Sequence, residues 1–346
     1  MIKHLKVPDR EAQNAKDFLE SIGALNTDFL PFKGNGFILW PLNFKEDTLD
    51  FASTVDILTD FEGEVVEFSG IPATKTSRDY RKKLPKEIQE VAQRAFDIFG
   101  DIAIIRLPDE LSESSDSIAQ ALLGSNPNIS KVALDLGVEG QYRLRKLELI
   151  GGEPGFVSVH KENGLTFKLD ISKVYFSPRL AMERQRISEL VNSGERILDA
   201  FAGAAPFSVT LAKRGCRVTA VDANPDSEKW AHGNFHLNHI PVSDYDFIRS
   251  RIEDVVAGLD NYDRIIMNNP TKSLSYVNLL SPLVRPGGYI HLYCMAPKDG
   301  SFNVMENFDA EFECTRTREV HPYSPTTSLM VFDLKRAISN VQSGNQ

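Results

Sequence analysis

The sequence predicts an α/β protein in which a C-terminal domain with a parallel sheet follows two smaller α+β domains. At 346 residues the chain is too long for one ordinary domain, so two or three are expected. Beyond residue 172, apolar strand-like segments alternate with helical patterns at intervals of roughly 25 residues, which is the pattern of βαβ units. We therefore expect domains at residues 1–70, 71–172 and 173–346.

The first 70 residues predict a small mixed domain. The segment "REAQNAKDFLESIGAL" has the spacing of an amphipathic helix, and Gly23 ends it. Two later segments, "GFILWPL" and "GEVVEFSGIP", are bounded by turn residues and are predicted to be short strands. These elements form the expected first domain.

Residues 71–172 predict a second α+β region. Its strands are "DIAIIRL", "RKLELIGG" and "FVSVHKENGLTFKLDIS", while "DSIAQALLGSNPNISKVAL" is predicted to be a helix followed by a turn. The region begins with the densest basic cluster of the chain, which consists of Lys75, Arg78, Arg81, Lys82, Lys83 and Lys86. Such a charge run is often only a solvated helix face, but it is also a candidate for phosphate contact.

The C-terminal domain supplies the parallel sheet. In chain order its predicted strands are "RILDAF", "RVTAVDA", "YDFIRSR", "DRIIMNN", "GYIHLYCM", "TRTREVHPY" and "LMVFDLK". In an open sheet of this kind, ligands bind outside the carboxyl ends of the strands, near the point where the strand order reverses. The residues at the ends of these strands are therefore the first candidates for a binding site.

Composition and charge exclude several classes of protein. Hydrophobic residues at 42% and charged residues at 25% are ordinary for a globular protein, and no run of about 18 apolar residues predicts a membrane helix. The start lacks the apolar stretch of a secretion signal. Three scattered cysteines match neither a metal site nor a disulfide framework, so we expect a cytoplasmic chain without a metal. The net charge of −9 argues only weakly against nucleic acid, since local patches differ from the total.

Acidic residues end the first two strands of the predicted sheet. Asp199 ends "RILD", Gly203 lies in the turn that follows, and Asp222 ends "RVTAVD". An acid at the end of the second strand can accept the hydroxyls of a ribose, as in NAD or S-adenosylmethionine (AdoMet). The G-x-G-x-x-G fingerprint of a dinucleotide site is missing. Asp199 would repel a diphosphate but can accept from the amino group of methionine, so AdoMet is the expected ligand.

The fourth strand ends in Asn268, Asn269 and Pro270. Methyltransferases that act on amino groups often have Asn-Pro-Pro-aromatic at this place, where the amide holds a planar nitrogen in line with the methyl group. The proline restricts the loop, but Thr271 follows instead of an aromatic residue. A plain turn would also account for this pattern, so it indicates methyl transfer to nitrogen without deciding it.

Several segments taken together resemble one known family. In chain order they are "GDIAIIRLPDEL", "YRLRKLELIGG", "VHKENGLTFKLDISKVYFSPRLAMERQRI", "DAFAGAAPFSVTLAKRGCRVTAVDANP", "MNNPTKS" and "EVHPYSP". They resemble the archaeal and eukaryotic tRNA (guanine-N1-)-methyltransferases that modify position 37, beside the anticodon, over about residues 95–335. The resemblance implies a Rossmann-like class I methyltransferase domain, AdoMet as cofactor and tRNA as substrate. The segment "LKVPDREAQNAKDFLESIGAL" is similar, less specifically, to the family's optional first domain, which contacts the tRNA outer corner.

The resemblance also implies roles for individual residues. N1 of guanine carries a proton at neutral pH, so its methylation needs a base and a cation that stabilises charge on O6. The family's base corresponds to Glu183 and its cation to Arg143, although Arg145 lies on the same strand face and could serve instead. The expected substrate-binding residues nearby are Tyr175, Pro178 and Arg179.

The cofactor contacts follow from the same resemblance. Arg184 would reach the cofactor's carboxylate unless it is a surface arginine, and Phe201 would stack on the cofactor or belong to the core. The chain departs from the family at Asn269, where Leu or Pro is usual, and at Arg251, where an Asp usually accepts from the adenine amino group. The expected cofactor-binding residues are Arg184, Asp199, Phe201, Gly203, Asp222, Ala223, Arg251, Ile252, Asn268 and Pro270.

The expected partner is tRNA, bound by a monomer away from any membrane. Arg78, Arg81 and Lys82 are the expected phosphate contacts, in a region that the family places near the anticodon stem. The target guanine has to leave its stack to reach the pocket, which favours a base in a loop.

Two other functions remain open at this point. A related family in wybutosine synthesis transfers the aminocarboxypropyl group of AdoMet and need not use the Glu183 and Arg143 pair. A non-catalytic tRNA-binding protein with a decayed AdoMet fold would account for Asn269 and Arg251. Measuring AdoMet binding would separate the latter from both enzymes.

Overall fold

The computed structural model describes residues 1–43, 61–72, 79–142, 144–308 and 311–338. The chain separates into two compact units, Met1–Arg78 and Asp79–Gln346. The division into three domains at residues 70 and 172 stays a prediction. Within the described ranges, no helix is long and apolar enough to cross a membrane.

The first unit is built on a sheet with the strand order β3-β4-β1-β5. The strands of the whole unit are β1 (Ile2–Pro8), β2 (Phe29–Leu30), β3 (Phe32–Lys33), β4 (Phe37–Pro41), β5 (Glu64–Phe68) and β6 (Ile71–Pro72). The predicted helix is α1 (Ala12–Ser21), whose buried residues are Ala15 and Leu19. Sequence reasoning missed β1, because its two lysines and buried His4 obscure the fully buried Leu5 and Val7. This strand pairs with both β4 and β5.

The second unit begins with a four-stranded sheet of order β10-β9-β8-β7 and a separate hairpin. The strands are β7 (Asp97–Phe99), β8 (Ile102–Ile105), β9 (Lys131–Glu139), β10 (Leu144–Gly152), β11 (Val157–Glu162) and β12 (Leu165–Asp170). The helices here are α2 (Lys86–Val91) and α3 (Ser115–Ser125). The segment "DSIAQALLGSNPNISKVAL" was predicted to be a helix followed by a turn, but its last residues belong to β9, which starts at Lys131 and runs parallel to β8. The helix α3 makes that parallel connection possible.

The C-terminal sheet has seven strands in the order β15-β14-β13-β16-β17-β19-β18. They are β13 (Arg196–Asp199), β14 (Arg217–Asp222), β15 (Tyr245–Arg249), β16 (Tyr262–Met267), β17 (Val284–Pro297), β18 (Phe312–Pro322) and β19 (Thr327–Arg336). The strands from β15 to β17 are parallel, while β19 lies antiparallel between β17 and β18. The strand order reverses at β13, where a ligand site is expected. The predicted fold class is confirmed.

In the described part of the second unit, five helices accompany this sheet. They are α4 (Ala181–Leu190), α5 (Pro206–Ala212), α6 (Pro225–Leu237), α7 (Ile252–Val255) and α8 (Val277–Leu280). Short 3-10 turns occur at Asp9–Glu11, Tyr80–Lys83, Asp109–Ser114, Pro178–Leu180, Val242–Asp244, Val256–Gly258, Ser273–Tyr276, Ser281–Leu283 and Val304–Asn307. Proline opens both α5 and α6, where its missing N–H costs nothing. The side chain of Asn224 caps α6 by accepting from the amide of Asp226 at 3.0 Å.

The β11–β12 hairpin is tied to helix α6 by two buried asparagines. The amide of Lys168 donates to Asn234 Oδ1 at 2.7 Å, and the amide of Thr166 donates to Asn238 Oδ1 at 2.9 Å. Side chains of the hairpin, the middle sheet and the C-terminal sheet share one buried cluster that includes Phe167. This attachment sets the path of the segment after β12, which leads to the site.

Candidate functional site

A cavity of about 420 Å³ lies at the carboxyl ends of β13, β14 and β16. Its volume is in the range of small-molecule and cofactor pockets. All of the predicted cofactor-binding residues except Asp199 line it. Tyr175 also lines it, as do Tyr142, Met295, His321, Tyr323 and Leu329. The walls therefore come from the β12–α4 segment, the first strands of the sheet, and its β17-β19-β18 edge.

Asp222 is the acidic group on the cavity wall. Its Oδ2 accepts from the amide of Gly203 at 2.7 Å, and its Oδ1 accepts from the amide of Asn224 and the hydroxyl of Ser227, both at 2.9 Å. Burial raises the pKa of this carboxyl, against the opposing effect of these three hydrogen bonds. A carboxylate offers about four acceptor positions, so about one remains on Oδ2 for a ligand.

The turn after β13 brings main chain close to the cavity. Gly203 has a φ of +55°, and a Cβ there would lie 3.3 Å from the carbonyl oxygen of Tyr175. Ala205 also has a positive φ, of 64°, directly before Pro206 opens α5. The absence of a side chain at Gly203 therefore lets this turn adopt a positive φ and pack closely against the main chain at Tyr175.

Asp199 lies behind the wall rather than on it. Its side chain is 1% exposed, and Oδ2 accepts from the hydroxyl of Ser208 at 2.7 Å. Among the described residues, Oδ1 has no hydrogen-bond partner. Burial, reinforced by the nearby charge of Asp222, raises the pKa of Asp199 to about 7. The carboxyl therefore keeps its proton to a much higher pH than an ordinary aspartate, and its contact with the cofactor's amino group stays a prediction.

The loop after β16 presents Asn268 to the cavity. The side-chain Oδ1 of Asn268 is buried and has no hydrogen-bond partner among the described residues. The loop behind it is held by Ser273, whose amide donates to the carbonyl of Asn269 at 2.7 Å and whose hydroxyl donates to the carbonyl of Met267 at 2.8 Å. Pro270 accepts from the amide of Met295 at 3.1 Å. Ser273 thus restrains a loop in which no aromatic residue follows the proline.

Another part of the cavity wall consists of aromatic and charged side chains. The rings of Phe201 and Tyr276 lie 5.2 Å apart, and both line the cavity. Arg251 and Ile252 also line it, and the guanidinium of Arg251 is paired with Glu253. Glu253 therefore provides an acidic side chain beside Arg251, although an arginine occupies position 251 itself.

Glu183 is buried in helix α4, at 1% exposure, and lies outside the residues that line the cavity. Its Oε2 accepts from Arg186 Nε at 3.0 Å and from the hydroxyl of Tyr293 at 3.2 Å. Its Oε1 accepts from Arg318 Nη1 at 2.8 Å. Burial and the charge of Glu183 raise the pKa of Tyr293 well above its ordinary value, so this hydroxyl stays a donor.

A buried network continues behind Glu183. Arg186 Nη1 donates to Asp333 Oδ2 at 2.6 Å, and Asp333 Oδ1 lies 2.7 Å from His291 Nδ1. Burial raises the pKa of Asp333, but His291 and Arg186 outweigh it and hold that pKa far below its usual range. Burial lowers the pKa of His291 despite Asp333. Arg186 is therefore held between two carboxylates.

Arg184 is not a surface arginine. It is 1% exposed, and its Nη2 donates to Glu162 Oε2 at 2.6 Å and to the carbonyl of Ser177 at 3.1 Å. Its guanidinium carbon lies 4.9 Å from the ring centroid of Phe176. Burial raises the pKa of Glu162, but hydrogen bonds from His160 and Arg184 outweigh this, and the pKa is lowered. Arg184 lines the cavity, so a contact with the cofactor's carboxylate stays a prediction.

The other predicted residues have separate surroundings. Arg143 and Arg78 lie outside the described residues. The alternative cation, Arg145, is paired with Asp97 and Asp135 at 3.2 Å each. Arg179 also pairs with Asp97, at 2.8 Å, and Pro178 opens a 3-10 turn. In the basic cluster, Arg81 is paired with Asp79 at 2.7 Å, whereas Lys82 is exposed.

Sequence reasoning did not single out four of the contact residues. Asn224 and Ser227 were hidden in an ordinary helix start, although the Asp-x-Asn-Pro sequence indicates a cap. Tyr293 and Arg318 lie on strands 110 and 135 residues away from Glu183, and no spacing signal relates them to it. In the described part of the chain, no group of three or more His, Cys, Asp or Glu side chains could hold a metal ion.

Comparisons with known proteins agree with this geometry. Residues 158–316 match the family described as the TRM5/TYW2 methyltransferase domain, and residues 79–155 match the TYW2 N-terminal domain. The tRNA (guanine(37)-N(1))-methyltransferase Trm5b of Pyrococcus abyssi is 31% identical, over 96% of this chain and 98% of the relative. A complex of aTrm5 with tRNALeu is 27% identical with a TM-score of 0.69, covering 96% of this chain and 99% of that one. Methanocaldococcus jannaschii Trm5 in complex with adenosine is 26% identical with a TM-score of 0.63, covering 96% and 99%.

Proposed function

The chain belongs to the family of tRNA (guanine(37)-N(1))-methyltransferases, and we propose that its cavity brings AdoMet and the target guanine together beside Asn268. The enzyme transfers a methyl group from AdoMet to N1 of guanosine 37 in tRNA. The observation that carries the proposal is the place of Asn268 at the carboxyl end of β16, where it lines the cavity together with Asp222 and Gly203. Its Oδ1 is buried and has no hydrogen-bond partner among the described residues, so the amide has to turn toward the cavity before it accepts from a ligand N–H.

The residues present fit AdoMet. Asp222 keeps about one acceptor position for a ribose hydroxyl, and Gly203 lines the cavity beside it. Phe201 and Ile252 offer apolar surface to the adenine, and Arg184 supplies a cation near the cavity. When bound, AdoMet supplies the methyl group on its sulfonium centre. AdoMet carries no phosphate groups, so its binding does not require the main-chain amides that hold a diphosphate.

Proton removal from N1 is assigned to Glu183. The Glu183 carboxylate would take the proton from N1, which leaves the N1 electron pair free to accept the methyl group that bound AdoMet would supply. Glu183 lies directly behind the cavity wall, so the carboxylate and the guanine edge have to approach each other when tRNA binds. Arg143, which lies outside the described residues, is assigned to O6 on the family resemblance alone.

The tRNA contacts extend the proposal. Lys82 is exposed and is assigned to a phosphate of the anticodon stem, with Arg78 beside it in sequence. Arg81 is the weaker candidate, because Asp79 already occupies its guanidinium. The first unit is assigned to contacts with the outer corner of the tRNA. The enzyme is assigned as a monomer.

The decisive experiment is product analysis on defined tRNA. An unmodified transcript with G37 is incubated with the protein and AdoMet, digested to nucleosides and analysed by mass spectrometry. We expect 1-methylguanosine, and none from a transcript with adenosine at position 37. An aminocarboxypropyl adduct instead of a methyl group would assign the chain to the wybutosine pathway. Binding of AdoMet and tRNA without any product would indicate a non-catalytic protein.

A further inference from the structure

We propose that Arg318 is a positioning residue for Glu183, holding its Oε1 as the oxygen that receives the N1 proton. The inference rests on the proposed function and adds a residue to it. Arg318 lies on β18, the edge strand of the C-terminal sheet, and its side chain is 39% exposed. It is therefore the part of the Glu183 environment that solvent and substrate can reach.

Strand register places Arg318 one row behind the cavity wall. Tyr293, Val331 and Arg318 face one another across β17, β19 and β18, and the next row is Met295, Leu329 and His321. That second row lines the cavity. Two residues along β17 or β19 span about 7 Å, and a bulge between Glu319 and His321 makes the same step three residues on β18. Residues paired across the strands project from the same face of the sheet. Glu183 packs on the first row, so its carboxylate lies about one row from the wall.

The two oxygens of Glu183 are not equivalent. Oε2 receives Arg186 and the hydroxyl of Tyr293, which use its two acceptor positions. Oε1 receives Arg318, and about one position remains among the described contacts. Oε1 is thus the oxygen able to accept a proton without breaking the buried network, and Arg318 is the group that orients it.

The remaining charged neighbours belong to a fixed frame. Arg186 is pinned between Glu183 and Asp333, and Asp333 is held in turn by the buried His291. These groups are nearly inaccessible, whereas Arg318 is not. Removing Arg318 leaves the frame in place but takes away the charge-assisted hydrogen bond that holds Oε1. The consequence is a carboxylate whose reactive oxygen is no longer oriented.

The test is a double-mutant cycle between Arg318 and Glu183. Single-turnover methyl transfer to G37 transcript is measured for the wild type, R318A, R318K, E183Q and R318A/E183Q, with AdoMet saturating. We expect R318A to slow the reaction by about 10- to 100-fold near pH 7, R318K to recover most of that loss, and the deficit to shrink as pH rises toward the pKa of guanine N1, because the substrate then ionises without the base. In the E183Q background, R318A should add about twofold or less.

Arg316 provides the matched control, because it is an exposed arginine two residues earlier on the same strand. R316A removes the same charge and should leave the rate near that of the wild type. Thermal unfolding and AdoMet affinity of R318A should match those of R316A. An R318A loss that is equally large in the E183Q background, or that appears as weaker tRNA binding, would make Arg318 a phosphate contact and overturn the inference. A wild-type protein that forms no 1-methylguanosine would instead overturn the proposed function.

Discussion

Replacing Asp222 by alanine is expected to weaken AdoMet binding by about one to two orders of magnitude. Three of about four acceptor positions on its carboxylate are used by Gly203, Asn224 and Ser227. One charge-assisted hydrogen bond to a ribose hydroxyl therefore remains, and it contributes roughly 1.5–3 kcal/mol. Loss of the bonds to Gly203 and Asn224 also loosens the turn and the start of α6, so one order of magnitude is the lower bound.

Isothermal calorimetry with AdoMet measures this effect directly. Asp226→Ala is the matched control, because this exposed acid carries the same charge four residues further on and does not line the cavity. Since burial raises the pKa of Asp222, the affinity of the wild type should also fall as pH is lowered toward that pKa, and the alanine variant should lack this component. A dissociation constant within about twofold of the wild type, in a variant that still folds, would refute the assignment.

Three further predictions concern the base, a buried acid and the tRNA contacts. Glu183→Gln should slow single-turnover methyl transfer about 100- to 10,000-fold with AdoMet and tRNA affinities nearly intact, and a wild-type rate would end the base assignment. Asp199→Asn should abolish one component of the pH dependence of folding stability. In the wild type, roughly 4 kcal/mol of stability should be lost between about pH 4 and pH 7, because the raised pKa of about 7 means that the folded state binds this proton more tightly than the unfolded state. That stability is present below the unfolded pKa and is lost as pH rises through 7, so chemical denaturation of both proteins across this range checks it; parallel curves would contradict it. Lys82→Glu should weaken tRNA binding and lower the magnitude of the slope of log affinity against log salt by about one or more. Arg81→Glu should have a smaller effect, because Asp79 already pairs with Arg81. Equal slopes for Lys82→Glu and the wild type would exclude a phosphate contact by Lys82.

The position of the cavity could be predicted from the sequence because it depends on local order. Parallel strands place their carboxyl ends at one edge of a sheet, so residues at the ends of β13, β14 and β16 had to meet there. Gly203, Asp222 and Asn268 all line the cavity for this reason. The absence of a glycine fingerprint, and not any tertiary contact, indicated AdoMet instead of a dinucleotide.

The base was harder, because its surroundings come from distant parts of the chain. The sequence indicated Glu183 only through a family segment, and the alternative was a solvated helix residue paired with Arg186 or Arg179. The structure adds Tyr293 and Arg318, which approach Glu183 through the register of β17, β19 and β18. That register is set by the hydrophobic pattern of the three strands and by the turns that join them, and no periodicity within the helix encodes it.

By itself, then, the sequence determined the elements and the residues at their ends, because helix and strand periods and turn residues are local properties. It did not reveal β1 or the burial of Arg184, whose partner Glu162 belongs to another element. Only the tertiary structure decided which charged groups are buried and which oxygen of Glu183 stays available. Charges enter a protein interior only where partners from several elements converge to satisfy them, and that convergence exists only once the chain is folded.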